Sequence, residues 1–230
     1  GKGLSKAQED NLVPLVYVLQ ANSPQVNKRD PAYVQGAEAG DIWLRNAPEP
    51  IVGGDEGFYF QPCYFSKCFI EWVPRSEGGG FVARHHTMPP EARLTEDPQN
   101  PARKKFYMPS GNEIIETREH VGLVHIGDQR MPFVIPLTST GHSFSRKWMF
   151  MMNAKQIDGA DVPSFACVYK LKTVFKTNKA GDWYMLDVED GDWVSDRDFE
   201  AGLQIHDAFA SGRKQAEAPV AHVAEEDLPI

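Results

Sequence analysis

The apolar positions fall into short runs divided by polar, glycine- and proline-rich stretches, and most runs have strand length. Residues 12–20 are apolar and β-branched and predict a buried strand. A polar loop follows over 22–40, and residues 41–45 predict a brief strand before a Pro/Gly-rich segment over 47–57. The aromatic runs 58–65 and 68–73 lie close enough to form a hairpin or a bent strand pair. Pro62 has no N–H for a ladder and marks an edge or a bulge. Gly78-Gly79-Gly80 opens a section to about Gly111 that holds Pro89, Pro90, Pro98 and Pro101 and predicts a long irregular loop. Strands resume at 113–117, 121–126 and 131–137.

Two segments change period. Phe144, Trp148, Met151 and Met152 recur at near-helical spacing over 143–156, with Ser143 or Ser145 able to cap. Phe199, Leu203, Ile205 and Phe209 give a second helix from Asp196 to about Arg213. Between them, 164–177 and 182–188 flank a turn and predict a long hairpin. Many short strands with two helices predict a mainly β, β-rich α+β domain over 1–213, as an OB-like barrel or sandwich. A flexible acidic tail is expected over 214–230.

Composition adds little until the charge is located. The chain has 230 residues with a formal net charge of -8. Its segments differ: residues 1–64 hold 5 basic and 8 acidic side chains, 65–179 hold 16 and 11, and 180–230 hold 3 and 13. The middle is basic and the end acidic, and a polyanion responds to the local field rather than to the mean. No run approaches the ~20 apolar residues of a membrane span. The first residues show no signal-type hydrophobic stretch, and three cysteines cannot all pair. A cytoplasmic protein without a disulfide framework is expected, the host cytoplasm if phage-encoded. Cys63, Cys68 and Cys167 lack zinc-site spacing and read as structural.

In the hairpin, alternation puts Lys170, Lys172 and Lys176 on one face and Cys167, Tyr169, Leu171 and Phe175 on a core face. Ammonium groups ~7 Å apart along a strand suit a phosphate backbone. Aromatic residues accompany the cations elsewhere: Trp72 with Arg75, Phe106 and Tyr107 after Arg103-Lys104-Lys105, and Trp183 opposite the lysines. Single-stranded nucleic acid is held by that combination, cations on phosphates and rings on bases. Arg146 and Lys147 extend the basic track. Phosphate-cradling, zincin and nucleophile-elbow motifs are missing from the sequence, so no catalytic residue, metal or cofactor is assigned. Asp187, Glu189, Asp190 and Asp192 are the one carboxylate cluster for a metal-dependent nuclease, and an acidic turn explains them as well. His85-His86 beside Arg84 can contact phosphate.

The chain ends Glu225-Glu226-Asp227-Leu228-Pro229-Ile230 behind an Ala/Pro-rich linker. Three acids, an aliphatic, proline and a final hydrophobe resemble the acidic tip of bacterial single-stranded DNA-binding proteins. Phage proteins of the T7 type are similar in ending on an acidic tail. The resemblance implies non-sequence-specific binding of single-stranded DNA in replication or recombination, with the tip recruiting replication or recombination proteins. It covers six residues and a linker, and Ile230 stands where the bacterial tip has phenylalanine. A homo-oligomer is possible on this reading and a membrane partner is not expected. The alternatives are the nuclease and a structural or virion adaptor without DNA binding.

Overall fold

The computed structural model describes residues 12–219 apart from 48, 99, 179 and 180 and the side chain of Arg75. In chain order the strands are β1 (Leu12–Val13), β2 (Val16–Val18), β3 (Ile42–Leu44), β4 (Ile51–Val52), β5 (Phe58–Trp72), β6 (Phe81–His85), β7 (Arg93–Asp97), β8 (Asn100–Tyr107), β9 (Glu113–Ile126) and β10 (Gln129–Leu137). After helix α1 (Gly141–Asn153) come β11 (Gln156–Ile157), β12 (Ala160–Asp161), β13 (Cys167–Asn178), β14 (Gly181–Val188) and β15 (Asp192–Trp193). Helix α2 (Asp196–Ala210) and β16 (Gln215–Ala216) complete the order.

The spine is the antiparallel pair β5–β9, in register from Tyr59 opposite His125 to Trp72 opposite Glu113. Around it a nine-stranded sheet runs β14-β13-β5-β9-β8-β7, with β10 also on β9, β6 also on β5, and β15 on β13. The fold is mainly β with two helices, as the alternation predicts. Among the described residues none of the sheets closes into a barrel, which removes the OB-like barrel from the expectation.

Consecutive strand residues point to opposite faces, and this places the helices. Val124 belongs to the cluster that holds Phe144 and Trp148 of α1, with Phe60, Phe133, Tyr169 and Leu171. Its neighbour Leu123 packs with Cys63, Phe165 and the α2 residues Phe199 and Leu203. The two helices therefore cover opposite faces of the sheet. Near α2 a buried amide serves as a clamp: Gln61 donates to the carbonyls of Phe165 and Asp198, each at 2.8 Å. Helix α2 is capped by Ser195, whose hydroxyl accepts from Asp198 N, with Asp196 and Asp198 at the positive end of the dipole.

Several expectations need correction. Residues 58–72 form one strand rather than a hairpin, because their polar break meets a matching break: Ser66 lies opposite Glu119 and Lys67 opposite Arg118. The same pairing joins 113–117 and 121–126 into β9. The section 78–111 is not an irregular loop but contains β6, β7 and β8. Helix α1 begins at Gly141 without a side-chain cap, and neither Ser143 nor Ser145 serves as one: Ser145 is buried against His120 at 2.9 Å. Phe175, read as core, is 54% exposed, since β13 pairs with β5 only over Tyr169–Leu171 and Phe175 lies beyond that cover.

The bulge read from Pro62 is present: the β5–β9 register shifts between Pro62 and Tyr64, with Gly122 opposite Pro62. A Cβ on Gly122 would lie 2.2 Å from the Gln61 carbonyl oxygen and 2.5 Å from the Phe60 ring. Because the obstacle is backbone, Gly122→Ala is expected to cost about 1–3 kcal/mol, read as a lower urea midpoint with unchanged m-value.

Candidate nucleic-acid interface

The hairpin lysines are on strand β13, but carboxylates answer some of them. Lys172 lies opposite Asp187 and binds Glu189, while Lys176 lies opposite Trp183. Lys147 of α1 reaches Asp187 at 2.6 Å, and Lys155 reaches Asp190 at 2.8 Å. At Asp187 burial is the largest single influence and opposes ionisation, yet the Lys147 bond, the Val188 N–H and the charges of Lys147 and Lys172 together lower the pKa; lysine bonds lower Glu189 and Asp190 as well. Three of the four carboxylates of the expected cluster, Asp187, Glu189 and Asp190, are thus divided among three lysines. Among the described residues no group of three His, Cys, Asp or Glu side chains is placed to hold a metal ion.

The basic run lies in β8, where cross-strand pairing to β7 sets its faces. Lys105 binds Asp97 at 3.5 Å and Glu113 at 2.8 Å, and Lys104 stands opposite Glu96. Among the described residues Arg103, Lys104, Arg146, Lys170 and Lys176 make no ion pair. Phe106 and Tyr107 are strand residues, not loop residues. Phe106 packs beside Phe69, Ala92 and Ile114. The Tyr107 hydroxyl points to Asp97 at 3.5 Å, and burial with Glu113 and Asp97 pushes its pKa up to about 12. Both rings are half-buried, which limits them as stacking platforms.

Trp72 and Trp183 are half-buried as well, Trp72 edge-on to Phe81 at 6.2 Å. Arg75 begins a single 3-10 turn, Arg75–Glu77. His85 is held by Glu71 at 2.8 Å, while Asn112 donates to the other Glu71 oxygen at 2.6 Å. Arg84 binds Glu119 and donates to the carbonyl of Glu217 at 3.1 Å. Gln215 and Ala216 pair in parallel with Leu12 and Val13, and Glu217 meets Arg45 at 3.2 Å. The first residues of the expected tail are therefore part of the fold. The tip, Glu225 to Ile230, lies outside the described residues.

What the structure brings together is a pair of grooves on either side of the α1 N-terminal half. One, of about 420 Å³, is lined by Arg103, Lys104 and Lys105 on β8, Glu113 and Glu116 on β9, and Ser139 and His142. The other, of about 380 Å³, is lined by Ser143, Phe144 and Lys147 with Val174, Lys176, Met185 and Asp187. The exposed residues Arg146 and Lys147 lie on the turn of α1 that follows His142 and Ser143. One turn further on is Phe150, 76% exposed, at i+4 from Arg146 and i+3 from Lys147. Cations from three elements and one bare ring thus share a helix and its flanks.

Sequence reading missed Phe150 and Tyr59, which is half-exposed opposite Lys170. A signal for Phe150 was there: it falls off the Phe144–Trp148 stripe that faces the core. The cysteines are all buried and free, and burial pushes the thiols of Cys63 and Cys68 up to about 12, which leaves them protonated.

Beneath the α1 track His120 is fully buried, bonded to Ser145 and stacked on Trp148 at 4.8 Å. Burial, then Arg118, pushes its pKa down to about 3. The unfolded imidazole takes a proton near pH 6.5, the folded one far lower, so stability is full above 6.5 and falls as pH drops toward 3. Between pH 6.5 and 5 this group alone is expected to remove about 2 kcal/mol. Urea midpoints across that window should fall in the native chain and fall less steeply in His120→Gln.

No helix among the described residues is long and apolar enough to cross a membrane. The sequence model of one protein family, described as Pam3 phage gp34-like protein, matches residues 1–215. No curated protein and no solved structure matches the chain.

Proposed function

The chain belongs to the Pam3 phage gp34-like family, and from that premise we propose that it binds single-stranded DNA without sequence preference during replication or recombination. The observation that carries the reading is the cationic track across α1. Arg103 and Lys104 supply it on one flank, Arg146 and Lys147 on the helix, and Lys176 on the other flank, with Phe150 bare beside them. Phosphates neutralised by such side chains release counterions, and a ring stacks on any base. Lys170 beside the exposed Tyr59 extends the surface over β13. No catalytic residue or cofactor is part of this function. The acidic tip, Glu225, Glu226, Asp227, Leu228, Pro229 and Ile230, recruits replication or recombination proteins by docking its apolar end on a basic pocket of the partner.

Phe150 gives a test that spares the fold, since its ring contributes little to the core. Phe150→Ala is expected to weaken binding of a labelled dT oligonucleotide by about tenfold or more, as stacking is worth ~1–3 kcal/mol per base. Phe150→Trp should retain affinity and show fluorescence quenching on binding. Equal affinity in the native chain and in Phe150→Ala would remove the ring from the interface.

A further inference from the structure

The groove between β8, β9 and the start of α1 has an electrostatic imbalance that the ion pairs around it do not resolve. Its two acids are both engaged: Glu113 with Lys105, and Glu116 with Lys67 at 3.9 Å and Arg118 at 3.5 Å. The Arg118 contact is a loose one, and its buried Nε has no hydrogen-bond partner. Arg103 and Lys104 line the groove, and Arg146 stands one turn along α1 from His142, with no acid among the described residues paired to any of the three. Ser139, on the groove wall, holds a left-handed backbone at φ 39, a conformation unfavourable for a non-glycine residue.

His142 stands at the centre of this arrangement. Its Nε2 meets the Glu116 carbonyl at 3.1 Å, and a carbonyl only accepts, so Nε2 carries the hydrogen and Nδ1 is the nitrogen left to titrate. Burial lowers its pKa first; the Glu116 carbonyl and carboxylate raise it in part, and Arg118 and Arg146 lower it again. The groove also presents Arg103, Lys104, Lys105 and Glu113. Burial and the charges of Arg118 and Arg146 thus disfavour the imidazolium form of His142.

We propose that this groove seats a phosphate group against Arg103 and His142, within the field of Arg118 and Arg146 nearby, and that His142 takes up a proton as the phosphate enters. An anion placed there offsets the guanidinium repulsion, so the imidazolium becomes favourable and Nδ1–H turns into a donor to a phosphate oxygen. The phosphate comes from the backbone of a bound strand or from a free nucleotide. The first source rests on the single-stranded DNA reading and the second does not.

The test follows the imidazole signals of His142 by two-dimensional NMR across pH, alone, with inorganic pyrophosphate, and with a dT oligonucleotide. Both probes are expected to raise the His142 pKa by at least one unit. Oligonucleotide affinity should then tighten about tenfold from pH 7.5 to 5.5 in the native chain and stay flat in His142→Gln. Oligonucleotide binding that leaves the His142 titration unmoved overturns the seat and leaves the DNA reading standing. A shift with pyrophosphate and no binding of the oligonucleotide supports the seat and overturns the DNA reading. If neither probe moves His142, the seat is overturned.

Discussion

Trp148→Ala is expected to cost about 3–5 kcal/mol, the range for a fully buried large aromatic, and to lower Tm by roughly 10 °C or more. The indole is the largest fully buried side chain among the described residues. It touches Phe60 at 5.7 Å, Phe144 at 5.5 Å and Tyr169 at 5.9 Å, and stacks on His120. It therefore links α1 to β5, β9 and β13, and a cavity there would loosen the helix that carries Arg146, Lys147 and Phe150. Its Nε1 is buried without a partner, so the side chain contributes through volume and not through a hydrogen bond. Trp148→Phe should accordingly cost much less than Trp148→Ala. Equal costs for the two, measured by urea unfolding, would contradict the packing account.

The second large effect is on binding. Replacing Arg103, Lys104, Arg146 and Lys176 together by glutamine is expected to weaken single-stranded DNA binding by on the order of 10²-fold at low salt. Four lost phosphate contacts should also flatten the plot of log K against log salt by about 3, at ~0.7 per contact. The fold should persist, because these four make no ion pair among the described residues. Lys172→Gln serves as the comparison: its ammonium already binds Glu189, so its removal should change affinity less. A quadruple variant that binds as tightly as the native chain, with the same salt slope, would place the interface elsewhere.

Much of the sheet was legible where one face is buried. In β13 the alternation of Cys167, Tyr169 and Leu171 with Lys170 and Lys172 matches the observed burial, and Pro62 announced its bulge. The turn residues Ser66 and Lys67 misled, because what keeps them in a strand is Glu119 and Arg118, some 50 residues away in sequence. The β7–β8 ribbon was invisible for another reason. It is exposed and polar, paired through Glu96 opposite Lys104 and Thr95 opposite Lys105, so it carries no apolar period. Basic residues could be named from the sequence but not sorted. Which lysines face carboxylates, and that α1 stands between two grooves, depends on tertiary placement alone.

The central claim is tested most directly by fluorescence anisotropy of a labelled dT oligonucleotide titrated with the native chain at two salt concentrations, with duplex as competitor. The account predicts tight binding that weakens steeply with salt and that duplex does not compete away. No binding at low salt, or equal competition by duplex, would contradict it.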